Sequence, residues 1–126
     1  MTNKDIINTV IGCAENKGWH VYVYDHPMKD KVMFEFSKFT PAGQDFSFSA
    51  TMQDSSLYNL IREVKNYYEC FDPDEETYLW LDDSGHGRNG APYRMKDVLA
   101  DMEAAERMVA DFLIALQNLE DEYAYS

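Results

Sequence analysis

The sequence predicts an α+β domain in which one antiparallel sheet packs against helices, in the order α-β-β-β-α-α. Three observations predict it: helical spacing of apolar residues near both ends, alternation of apolar and polar residues over three runs between about 19 and 52, and short turn-forming segments between those runs. Period-two alternation is typical of strands with one buried face, and short turns join antiparallel neighbours. At 126 residues, the chain is expected to be a single domain over residues 1–126.

The first helix is predicted over residues 2–17. Ile6, Val10 and Cys13 recur at helical spacing, and Thr2 with Asp5 resembles a capping box. Gly18 is expected to end the helix, because glycine readily enters the left-handed conformation of a C-terminal cap.

The three strands form a predicted β-meander with turns at 25–30 and 40–43. Its buried face is expected to be strongly aromatic, and the opposite face mostly carries hydroxyl groups. The positions expected on the buried face are Trp19, Val21, Val23, Val32, Phe34, Phe36, Phe46, Phe48, Ala50 and Met52.

Two or three helices are predicted to follow the sheet. The first begins near Ser55 or Ser56, either a suitable N-cap, and runs to about Cys70. Pro73 with the acids after it indicates the start of a short helix. The segment 78–81 fits either helix or a short extended run.

The last helix is long and amphipathic. Its apolar stripe comprises Met95, Val98, Met102, Ala105, Val109, Phe112, Leu116, Leu119 and Tyr123. About 28 residues span roughly 42 Å, whereas strands of seven residues reach only about 23 Å. Either the other helices pack along the remainder, or its end contacts a second chain and forms a homodimer.

The net charge is −12, of which residues 1–50 carry −1 and residues 51–126 carry −11. Such charge repels phosphate, so direct binding to nucleic acid or to an anionic membrane is disfavoured and a basic protein partner is favoured. Solubility alone is the other interpretation. With only Cys13 and Cys70, no signal peptide and no apolar run of membrane-spanning length, we expect a reduced, cytoplasmic protein without a cofactor.

Gly85, Gly87 and Gly90 have the spacing of a dinucleotide-binding turn. In that turn the last glycine lies at the start of a helix that carries the diphosphate. Here residues 91–93 intervene, nearby carboxylates would repel a diphosphate, and no second parallel strand follows. We therefore predict a glycine-rich turn.

The same loop carries Asp82, Asp83, His86, Arg88 and Asn89. These side chains are consistent with a structural turn or with a contact to a partner. A small metal-binding or ligand-binding protein, or an enzyme, centred on Asp82, Asp83 and His86 is an alternative, although the spacing matches neither an EF-hand nor a zinc pattern.

Acidic residues are concentrated around this loop and on the last helix. Six acids and no base lie between residues 72 and 83: Asp72, Asp74, Glu75, Glu76, Asp82 and Asp83. The acids predicted on the outer side of the last helix are Asp97, Asp101, Glu103, Glu106 and Asp111. They form either an ordinary solvated surface or a set of carboxylates spaced like a phosphate backbone.

The stretches FTPAGQDFSFSATM and YLWLDDSGHGRNGAPYRMKDVLADME resemble a family of small acidic proteins encoded on conjugative and phage-like elements of gut bacteria, over about residues 19–110. No activity is established for that family. The resemblance implies a genetic context in which antirestriction and other anti-defence proteins occur, some of which mimic DNA.

The sequence therefore predicts a non-enzymatic, acidic protein-binding module. Its sharpest form is a mobile-element DNA mimic that blocks a basic nucleic-acid-binding protein; a homodimeric structural module is a further alternative. The expected partner-binding residues are Asp72, Asp74, Glu75, Glu76, Asp82, Asp83, His86, Arg88 and Asn89.

Overall fold

A computed structural model describes residues 3–25, 30–88 and 90–124 and confirms the α+β architecture. One three-stranded antiparallel sheet follows an N-terminal helix in the chain, and its apolar face packs against helices. The elements are α1 (Asn3–Asn16), β1 (His20–Asp25), β2 (Lys31–Phe39), β3 (Asp45–Gln53), α2 (Leu57–Cys70), α3 (Pro73–Tyr78) and α4 (Met95–Ala124). Among the described residues, no helix is long and apolar enough to cross a membrane.

The sheet has the predicted meander order β1-β2-β3. Val23 pairs with Phe34, which pairs in turn with Ala50, so apolar residues of all three strands share one row. Because side chains alternate across a strand, this register places the whole apolar set on one face. Every predicted inward position of β2 and β3 is buried, and the hydroxyl-rich face is more exposed.

An aromatic cluster forms the centre of the core. Trp19 contacts Phe48 edge-to-face with ring centroids 5.5 Å apart, and Phe112 of α4 contacts Phe36 in the same way at 4.8 Å. Edge-to-face contacts are a favourable arrangement because the positive ring edge meets a negative ring face. The cluster fixes α4 against the sheet.

The helix ends match local sequence signals. Gly18 has a φ of +87° after α1, as expected of a C-terminal cap. Ser56 caps α2, since its hydroxyl accepts a hydrogen bond from the Asn59 amide at 3.1 Å. The predicted partner of Asp5 in a capping box, Thr2, lies outside the described residues.

The length of α4 is accommodated by the other helices, because α1, α2 and α3 all contact it. Of the two alternatives predicted from the sequence, the first, packing of the other helices along α4, is therefore observed. The second, self-association through the end of α4, stays a prediction. Most of the predicted stripe is buried, but Met95 is 51% exposed, which corrects its assignment to the core. Met95 begins the helix beside the short α3, which does not extend far enough to cover it. The side chain of Tyr123 lies outside the described part.

The prediction that Asp101 lies on the outer side of the last helix is wrong. Asp101 is only 5% exposed and faces the turn between β2 and β3. On a helix, position 101 is one turn from the buried Val98 and Ala105, so it lies at the edge of the apolar stripe. The turn at residues 40–44 covers that edge and supplies the hydrogen-bonding groups that a buried carboxylate needs.

Candidate functional site

The predicted partner-binding residues from Asp72 to Arg88 form α3 and a tight loop beside the first half of α4. Beneath them Leu81, Val98 and Met102 are buried apart from the main aromatic core. The apolar contacts of this second layer therefore hold α3 and the loop in place. Asn89 lies outside the described residues.

The acids of α3 differ in their roles. Asp72 is the N-cap, and its side chain accepts a hydrogen bond from the Asp74 amide at 3.0 Å. Pro73 follows at the first helical position, where its missing N–H costs nothing. Asp74 and Glu75 are exposed, whereas Glu76 is half-buried and burial raises its pKa. Two of the four carboxylates are therefore freely presented to solvent.

The loop after α3 closes as a short hairpin. Leu81 and Gly87 form an isolated antiparallel bridge, and the amide of Arg88 donates to the carbonyl of Trp80 at 2.9 Å. The segment 78–81 is thus part helix and part bridge, because α3 ends at Tyr78.

The Asp82 carboxylate holds the hairpin together. Its Oδ1 accepts hydrogen bonds from the amide of Ser84 at 2.9 Å, the hydroxyl of Ser84 at 2.6 Å and the amide of His86 at 3.0 Å. Hydrogen bonds to the charged form favour it, and with that of the Ser84 hydroxyl foremost they lower the pKa of Asp82. The Asp82 carboxylate is exposed, but it already accepts hydrogen bonds from within the loop.

Ser84 and His86 lie close together, but the hydrogen bonds do not run from aspartate to histidine to serine as in a hydrolase triad. Here the aspartate contacts the serine, and the serine contacts the histidine. Ser84 Oγ is 2.9 Å from His86 Nδ1 and donates its only hydrogen to Asp82. His86 Nδ1 must then donate to Ser84, so it is not free to accept the serine proton as a general base does. The His86 ring stacks on Tyr93 with centroids 4.0 Å apart. Among the described residues, no three potential metal ligands converge.

The three glycines of the loop serve its backbone geometry, and the predicted turn is observed. Gly85 and Gly90 have φ values of +84° and +88°, which other residues rarely adopt. A Cβ atom on Gly87 would clash with the carbonyl oxygen of Pro92. The helix α4 begins only at Met95, so Gly90 is not at a helix start.

The exposed carboxylates near this loop lack cationic partners. In the part of the chain that the structure describes, ion pairs join Lys17 to Asp111 and Lys65 to Glu69. Neither involves the acids of α3, the loop or the first half of α4. The exposed acids in this region that have neither an ion pair nor a capping role like those of Asp72 and Asp82 are Asp74, Glu75, Asp83, Asp97 and Glu103. Arg88 donates to the carbonyl of Leu79 at 3.0 Å, so its guanidinium is directed to the backbone.

Sequence reasoning missed the apolar side chains of this region. Tyr78, Leu79, Tyr93 and Met95 are all mostly exposed. The signal is present in the sequence, since Tyr78 and Leu79 follow the acids of α3 after Thr77, but a choice between helix and extended run does not indicate exposure. We call the exposed carboxylates of α3, the loop and the first half of α4 that have no capping role the acidic face: Asp74, Glu75, Asp83, Asp97 and Glu103.

Comparison of the chain with protein-family models, with curated proteins and with solved structures finds no match. Its function is therefore inferred from the geometry and the charge of the acidic face.

Proposed function

We propose that the chain is a non-enzymatic protein-binding module whose acidic face binds a basic partner protein. The observation that supports it most directly is a set of exposed carboxylates on α3, the loop and α4 that have no ion-pair partner within residues 3–25, 30–88 and 90–124. Over residues 72–101 the chain carries eight acids against three bases, a net charge of −5. A basic partner compensates this charge, whereas a nucleic acid is repelled by it.

The partner class that fits is a nucleic-acid-binding protein. Such a protein presents lysine and arginine where it contacts phosphates, and carboxylates on a rigid scaffold attract the same surface. The acidic face lies on packed helices and on a hairpin held by three hydrogen bonds to Asp82. The resemblance to acidic proteins of mobile elements supports the same hypothesis, a DNA mimic that blocks a host protein.

The test uses charge reversal at carboxylates that the fold does not use. Asp74→Lys, Glu75→Lys and Asp83→Lys are combined in one variant, and Asp72 and Asp82 are left intact because they cap α3 and the loop. A matched control reverses Glu15 on α1, Asp45 on β3 and Asp121 near the end of α4, which are exposed and do not belong to the acidic face, so the total charge changes equally.

Each immobilised protein is incubated with bacterial lysate at low salt, washed with rising salt, and the retained proteins are identified by mass spectrometry. The native chain is expected to retain a basic nucleic-acid-binding protein that elutes as salt rises, since screening weakens the attraction. The control variant keeps this protein and the face variant loses it. Equal loss from both variants, or no retained protein at all, would leave the acidity as a matter of solubility and contradict the proposal.

A further inference from the structure

A shallow groove runs between α3 and α4 beside the acidic face. Asp74, Thr77 and Tyr78 line it from α3, and Met95 and Leu99 line it from α4. Residues three or four positions apart share a helix face, so each helix contributes one coherent wall. Thr77 is buried at the base of the groove, and its hydroxyl donates to the carbonyl of Pro73 at 2.7 Å, which leaves no unsatisfied polar group there.

The groove is lined in part by apolar side chains that are open to solvent. Tyr78 is 68% exposed and Met95 is 51% exposed, and Leu79 after Tyr78 and Tyr93 two residues before Met95 are also exposed. Single exposed apolar side chains are ordinary, but a group of them rimmed by polar residues is typical of an interaction site. The other large exposed apolar side chains of the described chain lie on the sheet, on α2 and farther along α4.

Charge defines what fits the groove. Asp74 lines the groove and Glu75 follows it on α3, and neither carboxylate forms an ion pair with another residue that the structure describes. Arg94 and Lys96 flank Met95 in the chain, but residues 72–101 as a whole carry eight acids against three bases. An occupant that complements both features carries an apolar group with a cationic group beside it.

We infer that this groove is the specificity pocket of the acidic face, and that it receives an apolar side chain of the partner protein that lies next to a lysine or arginine. The inference rests on the proposed function and deepens it. The cation pairs with Asp74, and the apolar side chain packs between Tyr78 and Met95. Long-range charge attraction steers a partner without fixing its register, whereas a short-range apolar contact in a pocket does fix it.

The test measures binding of two synthetic peptides by fluorescence anisotropy. Both have the same length and the same number of lysines, and one carries leucines where the other carries serines. The native chain is expected to bind the leucine peptide about tenfold more tightly than the serine peptide, as one well-packed apolar contact warrants.

Substitutions then locate the contact. Tyr78→Ser and Met95→Ser are expected to abolish the preference for leucine and to leave binding of the serine peptide unchanged. Tyr58→Ser is the matched control, because Tyr58 lies on α2 and is 61% exposed, and it is expected to keep the preference. Thermal unfolding checks that each variant remains folded.

The outcomes separate the two proposals. If the native chain binds both peptides equally, or if Tyr58→Ser removes the preference as completely as Tyr78→Ser, the groove is not the pocket, while charge-driven binding stands. If the native chain binds neither peptide at low salt, the proposed function itself is overturned along with the groove.

Discussion

The side chain of Asp101 on α4 accepts a hydrogen bond from the hydroxyl of Thr40, which lies 61 residues earlier in the turn between β2 and β3. The other carboxylate oxygen accepts from the amide of Ala42 at 3.0 Å, and Thr40 Oγ1 accepts from the amide of Gln44 at 2.9 Å. Asp101, Thr40 and Gln44 are all buried. This network fastens the turn to the helix that supports the acidic face.

Asp101→Ala is therefore expected to destabilise the protein by about 3 kcal/mol, because it leaves the Thr40 hydroxyl and the Ala42 amide without their acceptor. The measurement is urea unfolding followed by circular dichroism. Glu103→Ala is the control, since Glu103 is exposed on the same helix, and its cost is expected to stay within about 0.5 kcal/mol. Equal costs for the two substitutions would show that the network does not hold the turn.

Gly87→Ala is expected to cost about 3 kcal/mol, since its Cβ would clash with the backbone carbonyl of Pro92 and the loop backbone would have to move. A Cβ atom on Gly85 would have open space around it, so Gly85→Ala introduces only the strain of a φ of +84°. This substitution is expected to destabilise the protein by about 1 kcal/mol. Thermal unfolding of both variants gives the comparison. A larger cost at Gly85 would mean that backbone conformation, rather than the contact with Pro92, constrains this loop.

The sheet was predictable because its information is local. Phe46, Phe48, Ala50 and Met52 alternate with hydroxyl residues without interruption, and all four are buried as predicted. The position of Asp101 was not predictable in this way, since its burial depends on a turn distant in sequence. Helical periodicity places residue 101 at the edge of the stripe and cannot tell whether another segment covers that edge.

The composition of the candidate site could be predicted from the sequence, but its geometry could not. The acids of α3 and the loop could be counted from the sequence. That Asp82 accepts hydrogen bonds within the loop could not be predicted, because it depends on how the loop folds. The groove was missed because Met95 continues the apolar spacing of α4 and was assigned to the core. Whether such a position is covered depends on the length of α3, which no periodic signal encodes.

Glu76→Gln is expected to stabilise the protein at neutral pH. Burial raises the pKa of Glu76, so between its ordinary value of about 4.3 and the raised value the folded state binds more protons than the unfolded state. Stability from this group therefore falls as pH rises through that window. Glutamine removes the penalty, by less than about 1 kcal/mol because solvent screens a half-exposed carboxyl.

The stability gain of Glu76→Gln is measured by urea unfolding at pH 7 and again at a pH below about 4. The Glu76 carboxyl is neutral in the acid condition, so the gain should vanish there. Glu75→Gln is the control for loss of one charge on the same helix, because Glu75 is exposed. A Glu76→Gln gain that persists in acid would assign the effect to packing rather than to charge.

The carboxyl of Asp82 is expected to titrate below the ordinary aspartate value of about 3.9, because the Ser84 hydroxyl and two amides donate to its charged form. A lowered folded pKa means that Asp82 stabilises the loop at neutral pH and that this contribution is lost as pH falls through the lowered value. Ser84→Ala is expected to move the NMR titration midpoint of Asp82 upward, and Ser84→Thr, which keeps a hydroxyl, to move it less. An unchanged midpoint in Ser84→Ala would show that the hydroxyl does not donate to Asp82, and would free Ser84 to interact with His86 as a hydrogen-bond donor.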